Sequence, residues 1–193
     1  RYPDGIDCFI SNAGVGPTVP AATLFSLNYF AATELAEGLQ PLLKKKRGNC
    51  VMTASNSITF PYVRQDWVDM LTNIHDEDSF TQIAQGIPPQ AGPACYSTSK
   101  HALTRWMRRV SPSWAGEGTR ITTTPMTQNM TPEQKEAALL IPIPTRYGKK
   151  EFLDAEEIAN GIIFLSSPMA SGVNGTILFV DGGIDALLRS ERF

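Results

Sequence analysis

The feature that most constrains this chain is an alternation between short apolar runs closed by small or polar residues and longer stretches of helical period. Ile6 to Ile10 is such a run, and it ends in Ser11-Asn12-Ala13-Gly14. A run of this kind suits a strand buried on both faces of a parallel sheet. Gly14 to Pro20 is a Gly/Pro loop. Between Ala22 and Leu43, the residues Leu24, Leu27, Ala31, Leu35, Leu39 and Leu42 recur at helical spacing and predict one buried face of a helix. Lys44 to Lys46 suit the negative end of that helix, and Gly48 is its expected stop.

The alternation continues. Cys50 to Thr53 reads as a second buried strand. Residues 58–95 form a polar, aromatic-dotted excursion with one predicted helix at about Asp66 to Ile74 and an acidic patch at Asp76 to Asp78. Long connections of this kind shape binding sites. Tyr96 to Trp114 reads as a helix, Arg120 to Thr124 as a β-branched strand, and Thr131-Pro132-Glu133 as a capped helix start. Asp154 to Leu165 is a further capped helix, Gly175 to Val180 the last strand, and Asp181-Gly182-Gly183 a turn. This order predicts one α/β domain over residues 1–193, with a parallel sheet and helices on both faces. Four strands are few for an open doubly wound sheet, so the sheet is expected to be incomplete.

Charge and composition narrow the functions. Seventeen Lys and Arg against nineteen Asp and Glu leave a net charge of −2, with no basic excess to hold nucleic acid. No apolar run approaches the roughly 20 residues that span a bilayer, so no membrane partner is expected. The three cysteines, Cys8, Cys50 and Cys95, are far apart and lack metal-ligand spacing. They read as the reduced thiols of a cytoplasmic protein. His75 reads as a solvated loop residue, and His101 as facing away from Tyr96. Neither has the partners of a metal site.

The candidate chemistry lies elsewhere. Tyr96 and Lys100 are four residues apart on a helix, hence on one face. A phenol titrates near 10 on its own, and a cation within about 4–6 Å lowers that value enough for proton exchange with an alcohol or ketone. The plain alternative is a surface tyrosine beside a solvated lysine. Ser57 stands just past a strand end, where catalytic groups of open α/β sheets collect, and could donate to a carbonyl oxygen. Ser55 is its rival, and a loop serine satisfying backbone is the plain reading. Asn28 interrupts the apolar helix face, where a buried amide needs partners or ordered water. Trp67, Met70 and Leu71 share a helix face and read as local packing, with an apolar substrate lid as the other reading.

Taken in order, these residues resemble the short-chain dehydrogenase/reductase family. The resemblance runs from Asp7 to the C-terminus and implies a Rossmann-like doubly wound parallel sheet lacking its N-terminal strands here. Asn12-Ala13-Gly14 matches the family's sheet-stabilising element beside the cofactor, and Val180-Asp181-Gly182-Gly183 its closing turn. Asn28, Ser57, Tyr96 and Lys100 match its catalytic tetrad. The segment Ser26 to Leu35, the long excursion and the tail Asp181 to Ala186 are similar to the hydroxysteroid dehydrogenase/carbonyl reductase and coniferyl-alcohol dehydrogenase branch. That branch implies NAD(H), favoured over NADP(H), and a small hydrophobic alcohol or carbonyl substrate, steroid or aromatic. The implied roles are Tyr96 as general acid/base and Lys100 as its modulator and ribose ligand. Ser57 would polarise the substrate oxygen, and Asn28 would hold the water that links Lys100 to solvent. A homodimer or homotetramer is also implied, and apolar residues in excess from Asp154 onward agree with one.

The match is incomplete in two places. Nothing before Asp7 resembles the family's Gly-rich turn, whose following helix holds the pyrophosphate. The chain opens on Arg1 and not on Met. On the strand Arg120 to Thr124 the family carries Asn where this chain has Thr122, and Thr124 runs directly into Pro125-Met126 with no nicotinamide loop between. A whole dinucleotide site is therefore not expected from these residues, and an inactive relative is the alternative to an enzyme. A short-chain alcohol or sugar dehydrogenase of the same family is a third reading.

Overall fold

The computed structural model describes residues 2–73, 76–126, 145–146, 149–150 and 153–191. Its centre is a parallel three-stranded sheet ordered β1 (Cys8–Ser11), β2 (Asn49–Ser55), β3 (Arg120–Met126). Cys8 faces Asn49 across the first pair, and Asn49 faces Arg120 across the second. Strand β2 is buried at every position, so it reads as apolar or small throughout. Its residues alternate between two helix layers. Cys50 and Met52 enter the main core, whereas the Asn49 side chain points the other way and donates to the Leu165 carbonyl at 2.7 Å. Strand β1 departs from expectation: it pairs on one side only, and Ile10 is 45% exposed.

The first long helix is not one helix. It consists of α1 (Ala21–Phe25), a π turn (Ser26–Phe30) and α2 (Ala31–Lys46). The π turn holds one more residue than an α turn, which rotates everything after it by about 100°. The buried residues Ala32, Ala36 and Leu43 accordingly lie one position beyond the predicted Ala31, Leu35 and Leu42. Leu27 and Leu35 face outward, 43% and 56% exposed. Helix α2 stops at Arg47, which takes the left-handed conformation expected of Gly48. Gly48 serves another purpose. A Cβ there would lie 2.6 Å from the Asp7 carbonyl, so only glycine lets the chain pass β1 this closely.

The excursion holds two helices, α3 (Gln65–Asn73) and α4 (Glu77–Gln85), where one was predicted. The acidic patch is the start of the second. The Asp76 carboxylate accepts from the amides of Asp78 (3.1 Å) and Ser79 (3.3 Å), with Glu77 and Asp78 in the first turn. Phe80 of α4 then packs edge-on against Phe25 at 4.8 Å, sealing α1 into the core.

Helix α5 (Gly92–Gly116) crosses the sheet and packs against both β2 and β3. Helix α6 (Ala155–Ser166) follows Asp154, and a short α7 (Ile184–Leu188) follows Gly183. The predicted last strand runs parallel to β3 through three main-chain hydrogen bonds, Gly175 N–H to the Ile121 carbonyl, Thr123 N–H to the Thr176 carbonyl and Leu178 N–H to the Thr123 carbonyl, around the bridge of Thr123 and Ile177. It stops there because the Ile121 amide donates to the Asn174 side chain at 2.8 Å and Pro125 has no N–H to continue the ladder. A two-stranded ribbon, β4 (Thr145–Arg146) with β5 (Lys149–Lys150), completes the described elements. His75 and the helix predicted at Thr131-Pro132-Glu133 lie outside the described residues.

Candidate active site

The predicted residues come from four elements that meet at the carboxyl ends of the central strands. Asn12, Ala13 and Gly14 follow β1, Ser57 follows β2, and Tyr96 and Lys100 lie on α5. Asn28 is carried by the π turn.

Thr53, near the end of β2, joins two of these groups. Its hydroxyl donates to Asn12 Oδ1 at 2.7 Å, and its carbonyl accepts from Lys100 Nζ at 2.9 Å. Lys100 is 5% exposed, and burial lowers its ammonium pKa to about 8. Gly14 is the second meeting point. A Cβ placed on it would lie 2.9 Å from Asn28 Oδ1 and 3.3 Å from Lys100 Nζ. A side chain at Gly14 would therefore press on both the amide and the ammonium and displace one of them.

Asn28 is fully buried and its amide is held by backbone. Its Oδ1 accepts from the Val15 amide at 2.9 Å, and its Nδ2 donates to the Val15 carbonyl at 3.0 Å. This reciprocal pair pins the loop after Gly14 and does what the plain reading assigned to water. The Ser99 hydroxyl, 3.5 Å from Asn28 Nδ2, in turn donates to the Tyr96 carbonyl at 2.8 Å. Tyr96 is buried among the core residues, which removes the surface alternative for it. Ala13 is exposed on the loop between Asn12 and Gly14.

Ser57 sits in a one-turn 3-10 segment, Asn56–Thr59, and is itself buried. Ser55 supports it: the Ser55 oxygen accepts from the Ser57 amide at 3.2 Å and from the Ser57 hydroxyl at 3.0 Å. The rival hydroxyl is thus a neighbour of Ser57. His101, the residue after Lys100, has a partner of its own: its Nδ1 lies 2.9 Å from the Ile58 carbonyl. No local signal in the sequence pointed to these contacts of Thr53 and His101. Their partners lie 41 and 43 residues away in sequence. Trp67 packs edge-on against Phe25 at 6.1 Å, with the Arg64 guanidinium 4.5 Å over its ring. Those contacts agree with the packing reading. Among the described residues, no group of three or more His, Cys, Asp or Glu could hold a metal ion. None of the described helices is long and apolar enough to cross a membrane.

Comparison with known proteins places this geometry. The family described as enoyl-(acyl carrier protein) reductase matches residues 79–185. The 3-alpha-hydroxysteroid dehydrogenase/carbonyl reductase of Comamonas testosteroni is 30% identical over 199 residues, spanning 98% of this chain and 76% of that protein. Short chain aldehyde dehydrogenase 1 of Euphorbia lathyris is 28% identical over 203 residues, covering 92% of this chain and 61% of the relative. A crystal structure of 3-alpha-hydroxysteroid dehydrogenase from Pseudomonas sp. B-0831 complexed with NADH superposes with a TM-score of 0.83 at 29% identity. It covers 98% of this chain and 77% of that one. With a family match over more than half its length and a relative aligned over nearly all of it, this chain belongs to the short-chain dehydrogenases/reductases, the family of NAD(P)-dependent oxidoreductases.

Proposed function

We propose that the protein interconverts a hydrophobic alcohol, steroid or aromatic, and its ketone or aldehyde, with NAD(H) in preference to NADP(H). The observation that carries the reading is the convergence of Asn28 and Lys100 on Gly14, with Lys100 and Asn12 both joined to Thr53. A buried ammonium without a buried role is costly, so a chain that keeps one has a use for it.

The residues present fit the nicotinamide ribose end of a dinucleotide. Lys100 offers further N–H donors beside its bond to Thr53, and the bare backbone at Gly14 allows a close approach. Asn12, Ala13, Gly14, Tyr96 and Lys100 would hold that end. The described residues contain no Gly-rich turn for the pyrophosphate. When bound, the nicotinamide accepts or donates the hydride.

The chain's own residues handle the proton and the charge. The Lys100 ammonium is largely protonated at neutral pH and favours the Tyr96 phenolate from one turn away. Tyr96 then takes the alcohol proton in oxidation and returns it in reduction. Ser57 would turn its one hydroxyl proton from the Ser55 oxygen to the substrate oxygen as charge develops there, while the Ser55 oxygen keeps the Ser57 amide. Asn28, fixed by Val15, holds the water path from Lys100 to solvent. The NADH complex of the Pseudomonas sp. B-0831 relative and the activity for which the Comamonas testosteroni relative is named support the cofactor and substrate class.

The test is a pair of proteins, wild type and Tyr96→Phe, assayed with NAD⁺ and a panel of bulky and small alcohols. Turnover by the wild type and its loss in the variant, with the urea midpoint unchanged, is the expected result. Equal turnover in both, or neither binding nor turnover in the wild type, overturns the proposal. A homodimer or homotetramer belongs to the same reading. Ile163, Met169 and Leu187 are 63%, 83% and 50% exposed, and an elution volume of a single chain would refute assembly through them.

A further inference from the structure

The turn that carries Ser57 is tied down on both sides by residues outside the proposed tetrad. On the N-terminal side, Asn56 Nδ2 donates to Asp181 Oδ2 at 3.1 Å. Asp181 is 5% exposed and belongs to the turn before α7, 125 residues away. That turn fixes its carboxylate, whose Oδ1 accepts from the Gly183 amide and Oδ2 from the Asp185 amide, both at 2.8 Å. On the C-terminal side, the Ile58 carbonyl lies 2.9 Å from His101 Nδ1. A carbonyl only accepts, so Nδ1 carries the proton and the ring's tautomer is set.

His101 is the residue after Lys100 on α5. Ser57 therefore stands between two neighbours, one anchored to the helix of Tyr96 and Lys100, the other to the C-terminal turn. The span between the anchors is three residues, too short to let Ser57 drift while both bonds hold. Without them, the turn keeps the two bonds from Ser57 to Ser55, the Thr59 hydroxyl on the Asn56 carbonyl at 2.9 Å and the Phe60 amide on the Ser57 carbonyl at 3.1 Å, all of them within residues 55–60.

We propose that His101 and Asp181 are positioning residues that set Ser57 against Tyr96, His101 through the Ile58 carbonyl and Asp181 through Asn56. The proposal rests on the role given above to Ser57. A misplacement of about 1 Å at a reacting group costs up to about a hundredfold in rate, whereas none of the residues proposed to hold the nucleotide lies on this turn.

The test uses the purified protein with NAD⁺ and its best alcohol. His101→Leu removes the donor, His101→Asn places an amide N–H near the position of Nδ1, and Asn56→Ala releases Asp181 without touching the cap of α7. Each is made alone and in a Ser57→Ala background. His101→Leu and Asn56→Ala are expected to lower kcat about tenfold to a hundredfold, with the nucleotide KM unchanged and the effect gone in Ser57→Ala. His101→Asn is expected to recover most of the loss. An equal loss in the Ser57→Ala background, or no loss from His101→Leu, overturns the proposal. If Ser57→Ala alone has full activity, the catalytic reading of Ser57 fails, and the positioning proposal fails with it.

Discussion

Replacing Lys100 by Met tests whether the buried ammonium is there for chemistry and against stability. In the folded protein burial moves its pKa from 10.5 to about 8. Between those values the unfolded chain still holds the proton that the folded protein has released. The unfolded state then binds more protons, so wild-type stability rises with pH across this window. Below pH 8 both states are charged, and burying the charge costs about 3 kcal/mol, taking about 1.4 kcal/mol per tenfold change in proton affinity. Lys100→Met lacks this term at every pH, and it also lacks the bond to Thr53, which is worth about 1 kcal/mol. The wild type should therefore gain about 3 kcal/mol on the variant between pH 7 and pH 10.5. With a urea m-value of about 2 kcal/mol/M, the gap between their midpoints shifts by about 1.5 M. Urea titrations of both proteins, followed by circular dichroism at intervals over that range, provide the measurement. A gap that stays constant to within a few tenths of a molar would refute the reasoning. Turnover of the variant should be lost at every pH.

Two further substitutions probe the same architecture. Gly14→Ala puts a methyl 2.9 Å from Asn28 Oδ1 and 3.3 Å from Lys100 Nζ, so kcat should fall at least about tenfold with a small change in urea midpoint; wild-type kcat would remove Gly14 from the site. Trp67→Ala opens space beside Phe25 and should cost about 2 kcal/mol in urea unfolding. The Michaelis constants for bulky and small alcohols should move together in that variant, and a selective rise for bulky ones would restore the lid reading.

What could be read from the chain and what could not divide along a physical line. Tyr96 and Lys100 were legible because a helix alone fixes residues four apart on one face. The parallel sheet was legible because β2 is buried at every position and carries no alternating pattern. Helix α4 could have been read as well, since Asp76 followed by Glu77 and Asp78 is a helix start whose acidity drew attention away from its position. The last strand is shorter than read: Gly175 to Leu178 pairs with β3, but the Asn174 side chain takes the Ile121 amide and Pro125 offers none, so the ladder ends after three main-chain bonds. Asp181 was read in a closing turn and Thr53 in a strand, but what they and His101 bond to was not legible. Their contacts join distant parts of the chain, and no local pattern encodes a partner 41 to 125 residues away.

The π turn in the first long helix has a consequence for how such a site persists. Were Ser26–Phe30 wound as ordinary α turns with every residue kept, the Leu24-to-Leu42 stripe would return to the core, with Leu35 buried in place of Ala36. Each leucine so buried would add up to about 1–2 kcal/mol. The same rewinding would carry Asn28 out of register with Val15 and take the amide away from Gly14 and Lys100. The smoother helix needs no change of sequence and buries more leucine, yet it has no active site. A one-residue slip in the hydrophobic period of a helix is therefore a mark worth looking for in its own right, because here it coincides with the residue that packing alone would have excluded.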